Sequence, residues 1–552
     1  MDEQEHADDP LGAAPAAATS AAAAVAEAPP GDLNLFRSSA VVALGTALSR
    51  FTGFGRLAAT AYAIGFTRLT DTYTLANTTP NIVYELLLGG VLSATLVPIF
   101  VQQRDEGDDN GTNAIVTVAS VGLIGVTVVG LITAPWIVQV YTLGVSGSVA
   151  ADQQQVATSM LRLFMPQMLF YGLTAMATAV LNARRSFAAP AFAPALNNIV
   201  VSAVLISLPV LAGGTPTLED VRDDPLLLWT LGLGTTAGIV VMTLALWPAL
   251  RRAGVHFRWR LDWRHPSVRQ VGRLSSWTFG YVVCNQVALL VVLILANRTE
   301  GGVSSYTGAF VFFLLPHALF AVSLMTTLVP ELSSAAGRGD LVAFRSRFSD
   351  GVRLMAIVVL PAATGYIVLA HPIVTALLER GAFTGASADL TATTLAAFGA
   401  GLFGFSVYLF ALRGFYALRD TRTPFLINVG QNVAQIALAL ALAPVFGVPG
   451  LAAAYGSAYT AAAVVALVVL HRRVGSLEVR RVTATVARVL VACAVMAAAV
   501  TVVSGAVGGD GTGMEAVVRT AAGVGVGGVV YVTAVFALRV EDVTALLARL
   551  RR

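Results

Sequence analysis

Runs of apolar residues too long for a soluble protein dominate this chain. The sequence is 56% hydrophobic and 12% charged over 552 residues, whereas soluble domains carry about 25% charged residues. About 14 runs are long enough to cross ~30 Å of hydrocarbon, and they are continuous where barrel strands would alternate. We therefore predict an all-α integral membrane protein with about 14 transmembrane helices. The runs lie near 36–66, 75–102, 113–141, 155–182, 188–212, 225–250, 268–297, 303–333, 351–378, 387–416, 424–446, 449–471, 483–507 and 515–539.

Arginine supplies all 35 basic residues, and the chain contains no lysine. This absence excludes a P-loop lysine and a Schiff-base lysine, and with them an ATP-driven motor of the Walker type. Cys284 and Cys493 fall in apolar runs and the histidines are scattered, so we predict no metal site and no catalytic residues. The expectation is a transporter without a cofactor, driven by the membrane potential or an ion gradient, and not an enzyme.

The arginines in the loops between the runs predict the orientation of the chain. One alternating set of loops is rich in arginine, whereas the opposite loops hold only Arg68, Arg222, Arg298 and Arg380. Arginine-rich loops stay in the cytoplasm, so both termini are predicted to be cytoplasmic in a multi-pass protein of the cell membrane. The arginine-rich set comprises 184–185, 251–269, 338–347, 419–422, 472–481 and the tail at 549–552.

Two sequence matches reveal an internal repeat. Thr95-Leu-Val-Pro98 recurs as Thr327-Leu-Val-Pro330, and Ala183-x-Arg185-x4-Pro190 recurs as Ala417-x-Arg419-x4-Pro424. A six-helix unit repeated in one orientation predicts two lobes related by an axis along the membrane normal. We predict a disordered Ala/Pro-rich tail at 1–34, an N-lobe at 35–252 and a C-lobe at 253–473. Helices 13 and 14 and a basic tail would follow at 474–552.

Arg50 and Arg56 lie within the first apolar run, where an arginine near the bilayer centre costs about 2.5–3.5 kcal/mol. Two guanidiniums offer bidentate donors to a phosphate or diphosphate group. They are six positions apart, about 240° on an ideal helix. Gly53 and Gly55, which lie between them, are candidates for a bend or an unwound turn that would direct both arginine side chains into one cavity. The sequence therefore predicts an anion site on the first helix.

The second helix adds polar residues to this candidate site. It holds Asn77, Asn81 and Glu85, with Asp71 in the turn before it. In an alternative interpretation, Arg56 forms a structural ion pair with Glu85 or Asp71. Tyr84 and Arg413 are further candidates for the cavity, and the sequence does not decide whether Arg413 faces the space between the lobes or another helix.

Several of these segments resemble the MviN/MurJ family of lipid II flippases, in the multidrug/oligosaccharidyl-lipid/polysaccharide exporter superfamily. The similar segments keep the order that the family has and run through most of the chain from about residue 36. They are SRFTGFGR at 49–56, Asp71, PN at 80–81, GGVLSATLVPIF at 89–100, LNARRSFAAPAFAPALNN at 181–198, LVPELS at 328–333, LLERGAFT at 377–384 and GFYALRDTRTP at 414–424.

The resemblance implies transport of lipid II, the undecaprenyl-diphosphate-linked peptidoglycan precursor, to the outer leaflet by alternating access. It implies diphosphate binding by Arg50 and Arg56 and gating at Asp71. The residues themselves add Asn81 and Glu85 to the predicted substrate site, Gly53 and Gly55 to the predicted gate, and Asn77, Tyr84 and Arg413 as further cavity positions. The implied partners are lipid II or a related polyprenyl-diphosphate lipid, membrane lipids and other cell-wall synthesis proteins, with no nucleic acid.

The chain also departs from the family pattern. An Asp common after the second arginine is Leu57 here, arginines usual in spans 2 and 8 fall at Tyr84 and near Val311, and span 7 lacks an acid linked to sodium binding. The cavity is therefore predicted to be less basic than in other members. The alternative function is a cation-coupled exporter of a drug or another lipid-linked oligosaccharide; an integral-membrane glycosyltransferase and a non-transporting scaffold are weaker alternatives.

Overall fold

The computed structural model describes residues 33–87, 96–506 and 513–540, with side chains except at 33–39, 83–87, 109, 273–279 and 281. The described residues form helices and no strands. The first ten helices are α1 (Leu33–Ile64), α2 (Arg68–Leu87), α3 (Val97–Glu106), α4 (Asp109–Tyr141), α5 (Ser148–Phe164), α6 (Gln167–Ala183), α7 (Ala188–Leu211), α8 (Leu218–Asp223), α9 (Pro225–Leu244) and α10 (Trp247–Arg252).

Eight further α-helices follow, and a π-helical turn at His317–Ala321 interrupts the run between two of them. They are α11 (Pro266–Ala296), α12 (Gly302–Pro316), α13 (Val322–Gly337), α14 (Leu341–Leu378), α15 (Gly385–Ala417), α16 (Arg422–Val474), α17 (Val479–Ala506) and α18 (Met514–Ala537).

Ten helices among the described residues are long and apolar enough to cross a membrane. The prediction of an all-α membrane protein is confirmed, whereas the count of 14 is not. Part of the difference lies in α16, whose 53 residues include two predicted runs, 424–446 and 449–471. Gly447 separates them with φ 60° and ψ −139°, a left-handed conformation that glycine adopts without steric cost.

Local geometry reproduces the internal repeat. Arg185 and Arg419 both have φ 58°, and both follow a helix that ends two residues earlier at an alanine. In each case the next residue donates its backbone N–H five residues back, from Ser186 to Leu181 at 2.8 Å and from Asp420 to Phe415 at 3.0 Å. This is the hydrogen-bond pattern of a Schellman cap, so both copies end their helix in the same way.

The buried apolar residues fall into separate clusters along the chain. The largest cluster draws mainly on residues 292–477, with a few from the first helices, and three others lie between residues 59 and 246. The last two helices, α17 and α18, pack on each other and on α14. This packing is what two lobes and an appended helix pair require; the boundaries at 252 and 473 stay predictions.

Loops alternate between the two ends of the bundle. The Gly65 end, as we call it, holds the connections at 65–67, 142–147, 212–217, 297–301 and 379–384, and the Arg184 end holds those at 184–187, 253–265, 338–340, 418–421 and 475–478.

Candidate functional site

Helix α1 carries the two predicted arginines and packs along α7. It runs without interruption from Leu33 to Ile64, so the unwound turn proposed at Gly53 and Gly55 is absent. Asn198 on α7 donates its Nδ2 to the Ser49 carbonyl at 3.2 Å, and a Cβ at Gly53 would lie 3.4 Å from that same nitrogen. A Cβ at Gly55 would meet no atom within 4 Å. Gly53 therefore faces α7, and Gly55 faces open space.

Arg50 and Arg56 point toward different parts of the molecule. Arg50 is exposed and Arg56 half-buried. The charge of Arg50 acts on His317, in the π-helical turn, whereas the charge of Arg56 acts on Tyr171 of α6. Within the described residues neither guanidinium has a hydrogen bond or ion pair. Two cationic groups that these residues leave unneutralised are available to an anionic ligand.

Asp71 joins α2 to α12 at the Gly65 end. It is fully buried, and its Oδ1 accepts hydrogen bonds from the Ser304 backbone N–H at 2.9 Å and from the Ser304 hydroxyl at 2.7 Å. A carboxylate at the first turn of α12 also interacts favourably with the helix dipole. The alternative pairing of Arg56 with Asp71 is therefore not present, because Asp71 bonds across the predicted lobe boundary instead.

Three further contacts surround Asp71, and together with it they form what we call the seal. Arg68 donates to the Asn297 carbonyl at 2.7 Å, and the Ala382 N–H donates to the Tyr62 carbonyl at 2.9 Å. The rings of Phe66 and Phe383 meet edge to face with centroids 4.9 Å apart. Each contact joins α1 or α2 with its adjoining turn to a segment beyond residue 296. The seal therefore closes the Gly65 end between the two predicted lobes.

From the seal, α1 and α12 run antiparallel along a seam. A Cβ at Gly308 would lie 3.6 Å from Leu57, and Phe54 meets Phe312 edge to face with centroids 5.4 Å apart. Arg50 and His317 are the next pair in this register, toward the Arg184 end. Further toward the Arg184 end, Leu44 is 64% exposed and Leu319 63%. The contacts described for the seam thus end at Arg50 and His317, and we call this point the place where the seam opens.

The remaining predicted residues have mixed placements. Asn77 is buried on α2, and its Oδ1 has no hydrogen-bond partner in the described part of the chain; Asn81 is half-buried one turn later. The side chains of Tyr84 and Glu85 lie outside the described residues, and so does the pairing of Arg56 with Glu85. Arg413 is half-buried on α15 and has an interaction partner, so it is not a free cation.

Sequence reasoning missed His317 and Ser304 as neighbours of the predicted site. In the sequence, His317 is one of the scattered histidines and carries no assigned role. The one signal for it was a histidine inside an apolar run, which is also what a buried structural histidine gives. Ser304 carried no signal, because serine is common in membrane helices and its partner Asp71 lies 233 residues away.

Comparisons with known proteins found similar sequences. The family model described as "Lipid II flippase MurJ" matches residues 60–520. The lipid II flippase MurJ of Burkholderia cenocepacia is 30% identical over 436 residues, which cover 77% of this chain and 81% of that protein. The probable lipid II flippase MurJ of Vibrio cholerae is 28% identical, covering 76% and 80%.

Solved structures show the same fold. A lipid II flippase MurJ in an inward closed conformation matches with a TM-score of 0.73 at 20% identity, over 92% of this chain and 100% of that chain. An inward-facing multidrug resistance transporter of the MATE family, in the MOP superfamily, matches with a TM-score of 0.61 at 13% identity, over 78% and 95%. At these identities both matches concern the fold alone.

Proposed function

Because the chain belongs to the MurJ family of lipid II flippases, we propose that it moves lipid II across the cytoplasmic membrane by alternating access. It acts as a transporter: it changes the position of the undecaprenyl-diphosphate-linked precursor and none of its covalent bonds. The observation that carries the proposal is the pair Arg50 and Arg56, which the described residues leave without a counter-ion, where the seam between the lobes opens.

The diphosphate of the precursor suits this pair of arginines. A guanidinium binds phosphate oxygens through two parallel N–H donors and is less strongly hydrated than an ammonium group. Arg50 is exposed and would meet the diphosphate first, whereas Arg56 is half-buried and closer to the seal. The open space beside Gly55 leaves room for a ligand next to Arg56, and Asn77 and Asn81 lie on the following helix, α2. A contribution from Glu85 stays a prediction.

The seal supports a gating role for Asp71. In the predicted orientation, with the arginine-rich loops and both termini in the cytoplasm, the Gly65 end lies on the outer side, and the seal closes the space between the lobes there. Release to the outer leaflet requires the seal to separate, which removes both Ser304 hydrogen bonds from a buried carboxylate. The two states then differ in a small set of contacts that ligand binding can bias.

The membrane potential is the energy source that this chemistry favours. An inside-negative potential drives an anionic group outward with about 2.3 kcal/mol per charge per 100 mV. A diphosphate carries its negative charges in that direction during export, so no bound cofactor is needed. Membrane lipids surround the helices in this proposal, and the enzymes that make and consume lipid II are the cell-wall synthesis partners.

Complementation tests the arginine pair. Arg50→Ala and Arg56→Ala should each fail to support growth of a flippase-depleted strain although the protein reaches normal levels in the membrane, because the diphosphate loses its donors. Arg258→Ala is the matched control: Arg258 is an exposed arginine in the 253–265 connection whose backbone N–H, not its side chain, bonds Asn113. Normal growth of both cavity variants would refute the binding site.

A further inference from the structure

His317 begins a π-helical turn, His317–Ala321, in the middle of the α12–α13 run. Such turns are rare and frequently occur at functional sites, because the extra residue redirects the side chains of one helical turn. This one lies at the Arg50 position of the seam. It places an imidazole of the second lobe opposite the first exposed guanidinium of the first lobe.

The hydrogen bonds of His317 assign its tautomer. The Ser406 hydroxyl donates to the Leu402 carbonyl at 2.9 Å, so its oxygen accepts the bond that joins it to His317 Nδ1 at 3.0 Å. Nδ1 therefore carries a proton, and in the neutral ring Nε2 is an acceptor with a free lone pair. The Phe405 ring, whose centroid is 4.8 Å away, packs against the imidazole edge to face and helps to hold its orientation.

His317 Nε2 is the atom of this ring that remains available. It has no hydrogen-bond partner among the described residues, and it is not among the side-chain nitrogens and oxygens that are fully buried without a partner. Arg50 of α1 is the charged group whose field reaches it. Behind the ring, α15 contributes Ser406 and Phe405, and the Tyr366 hydroxyl of α14 donates to the Phe312 carbonyl at 2.6 Å. The charged residue of α15 on this face, Arg413, lies about two turns beyond Ser406.

We propose that His317 is the second lobe's ligand for the diphosphate, and that its Nε2 takes up one proton from water when the diphosphate binds beside Arg50. In the empty site a protonated ring would lie beside the like charge of Arg50, which opposes protonation. A diphosphate with two or more negative charges reverses the local field, and Nε2–H then donates to a phosphate oxygen. This inference rests on the proposed function and deepens it.

The arrangement links binding to the movement of the lobes. Arg50 and His317 belong to different lobes, so rocking of the lobes changes the distance between the two donors. A diphosphate held by both binds one state more tightly than the other, and this difference in affinity is what shifts a conformational equilibrium. The second lobe then takes part in recognition through a residue that is neutral before the ligand binds.

The test is the pH dependence of diphosphate binding. Purified full-length protein in nanodiscs is titrated with undecaprenyl diphosphate between pH 5.5 and 8, and wild type is compared with His317→Gln, so that the titration of the probe itself cancels. The ratio of wild-type to variant affinity should fall by up to about tenfold per pH unit above the imidazole pKa range. Ser406→Ala, which leaves His317 in place, should shift the midpoint of this fall.

Two outcomes separate this inference from the proposed function. If Arg50→Ala weakens binding while wild type and His317→Gln show parallel pH profiles, His317 has no such role and the flippase site stands. If Arg50→Ala binds as wild type does, the proposed site itself fails. Calorimetry on wild type in two buffers of different ionisation enthalpy covers a variant that does not fold: uptake of about one proton at pH 7.5 is expected, and no uptake overturns the inference.

Discussion

The two lobes share a scaffold and differ in charge. In the first lobe, Asn198 of α7 ties that helix to α1 through the Ser49 carbonyl; in the second, Asn432 of α16 ties its helix to α11 through the Asn285 side chain at 2.8 Å. The repeat offset of 234 residues carries Arg50 onto Cys284 and Arg56 onto Leu290. Duplication thus preserved the contact between the first and fifth helices of each unit, while the cationic pair stayed in one copy.

This difference teaches that pseudo-symmetry describes the packing and not the chemistry. Asp71 lies in the first turn of the second helix of the first unit, and its partner Ser304 lies in the first turn of the second helix of the second unit. The seal therefore joins two nearly equivalent positions, one an acid and the other a hydroxyl. Variants that exchange or remove such unequal pairs therefore test the chemical difference between the lobes.

Exchanging the pair at the seal should have the largest effect. Asp71→Ser removes a charged acceptor from two hydrogen bonds, each worth about 1.5–3 kcal/mol. The equilibrium between the sealed and the unsealed state should therefore shift toward the unsealed state by about 30-fold or more. Adding Ser304→Asp should restore part of this loss, because the acid then lies on the opposite helix. Disulfide formation between cysteines placed at Tyr62 and Ala382, in a background without Cys284 and Cys493, reports the sealed fraction. Equal cross-linking in wild type and Asp71→Ser would contradict the role of the bond.

Alanine substitutions at two glycines of α1 should distinguish a packed position from an open one. A Cβ at Gly45 would lie 2.6 Å from Ala191 Cβ and 2.9 Å from its carbonyl carbon, so Gly45→Ala should reduce stability by about 1–3 kcal/mol through overpacking. Gly55→Ala is the matched control, because its Cβ meets nothing and alanine favours the helix by about 1 kcal/mol. Thermal unfolding in detergent measures both. A drop in Tm for Gly55→Ala equal to that for Gly45→Ala would show that Gly55 is packed.

A smaller effect is expected at the residue that follows Arg185 in one copy of the repeat and Arg419 in the other, because the two copies differ there. Asp420 stands where the first copy has Ser186, and its Oδ1 accepts the Thr423 N–H at 3.0 Å at the start of α16. Partial burial opposes the charge of Asp420, but hydrogen bonds from Thr423 and the Arg473 guanidinium outweigh it and lower the carboxyl pKa. Since the folded pKa lies below the unfolded one, the stabilisation is present above about pH 4 and is lost as pH falls through the folded pKa.

The corresponding variant is Asp420→Ala. It should cost about 1 kcal/mol at pH 7, the usual value of a helix cap, and its deficit relative to wild type should narrow as pH falls below about 4. Chemical unfolding at pH 7 and pH 3.5 provides the comparison, with Ser186→Ala as the control that shows no such pH dependence. A deficit that stays the same at both pH values would assign the effect to packing instead of charge.

Features that depend on local sequence could be predicted. Apolar runs place the helices, since burial in lipid requires a continuous apolar surface, and the run at 36–66 corresponds to α1 at Leu33–Ile64. The repeat predicted that Arg185 and Arg419 are equivalent, and both have the same left-handed backbone. The anion site on α1, which we infer from the energetic cost of arginine in a membrane, stays a prediction.

Features that depend on long-range register could not be predicted. The pairing of Asp71 with Ser304 and of Arg50 with His317 requires the antiparallel alignment of α1 with α12, which no local pattern encodes. The unwound turn at Gly53 and Gly55 was wrong because α7 packs against Gly53 through Asn198, which supports a continuous helix. The π-helical turn likewise has no sequence period by which to find it.

Depletion of the protein tests the central claim most directly. Cells carrying labelled peptidoglycan precursor are depleted of this protein, and the lipid II in each leaflet is measured by its accessibility to a reagent that cannot cross the membrane. Lipid II should accumulate in the inner leaflet and fall in the outer one, with recovery on expression of wild type and of Arg258→Ala but not of Arg50→Ala. An unchanged distribution of lipid II between the leaflets after depletion would contradict the account.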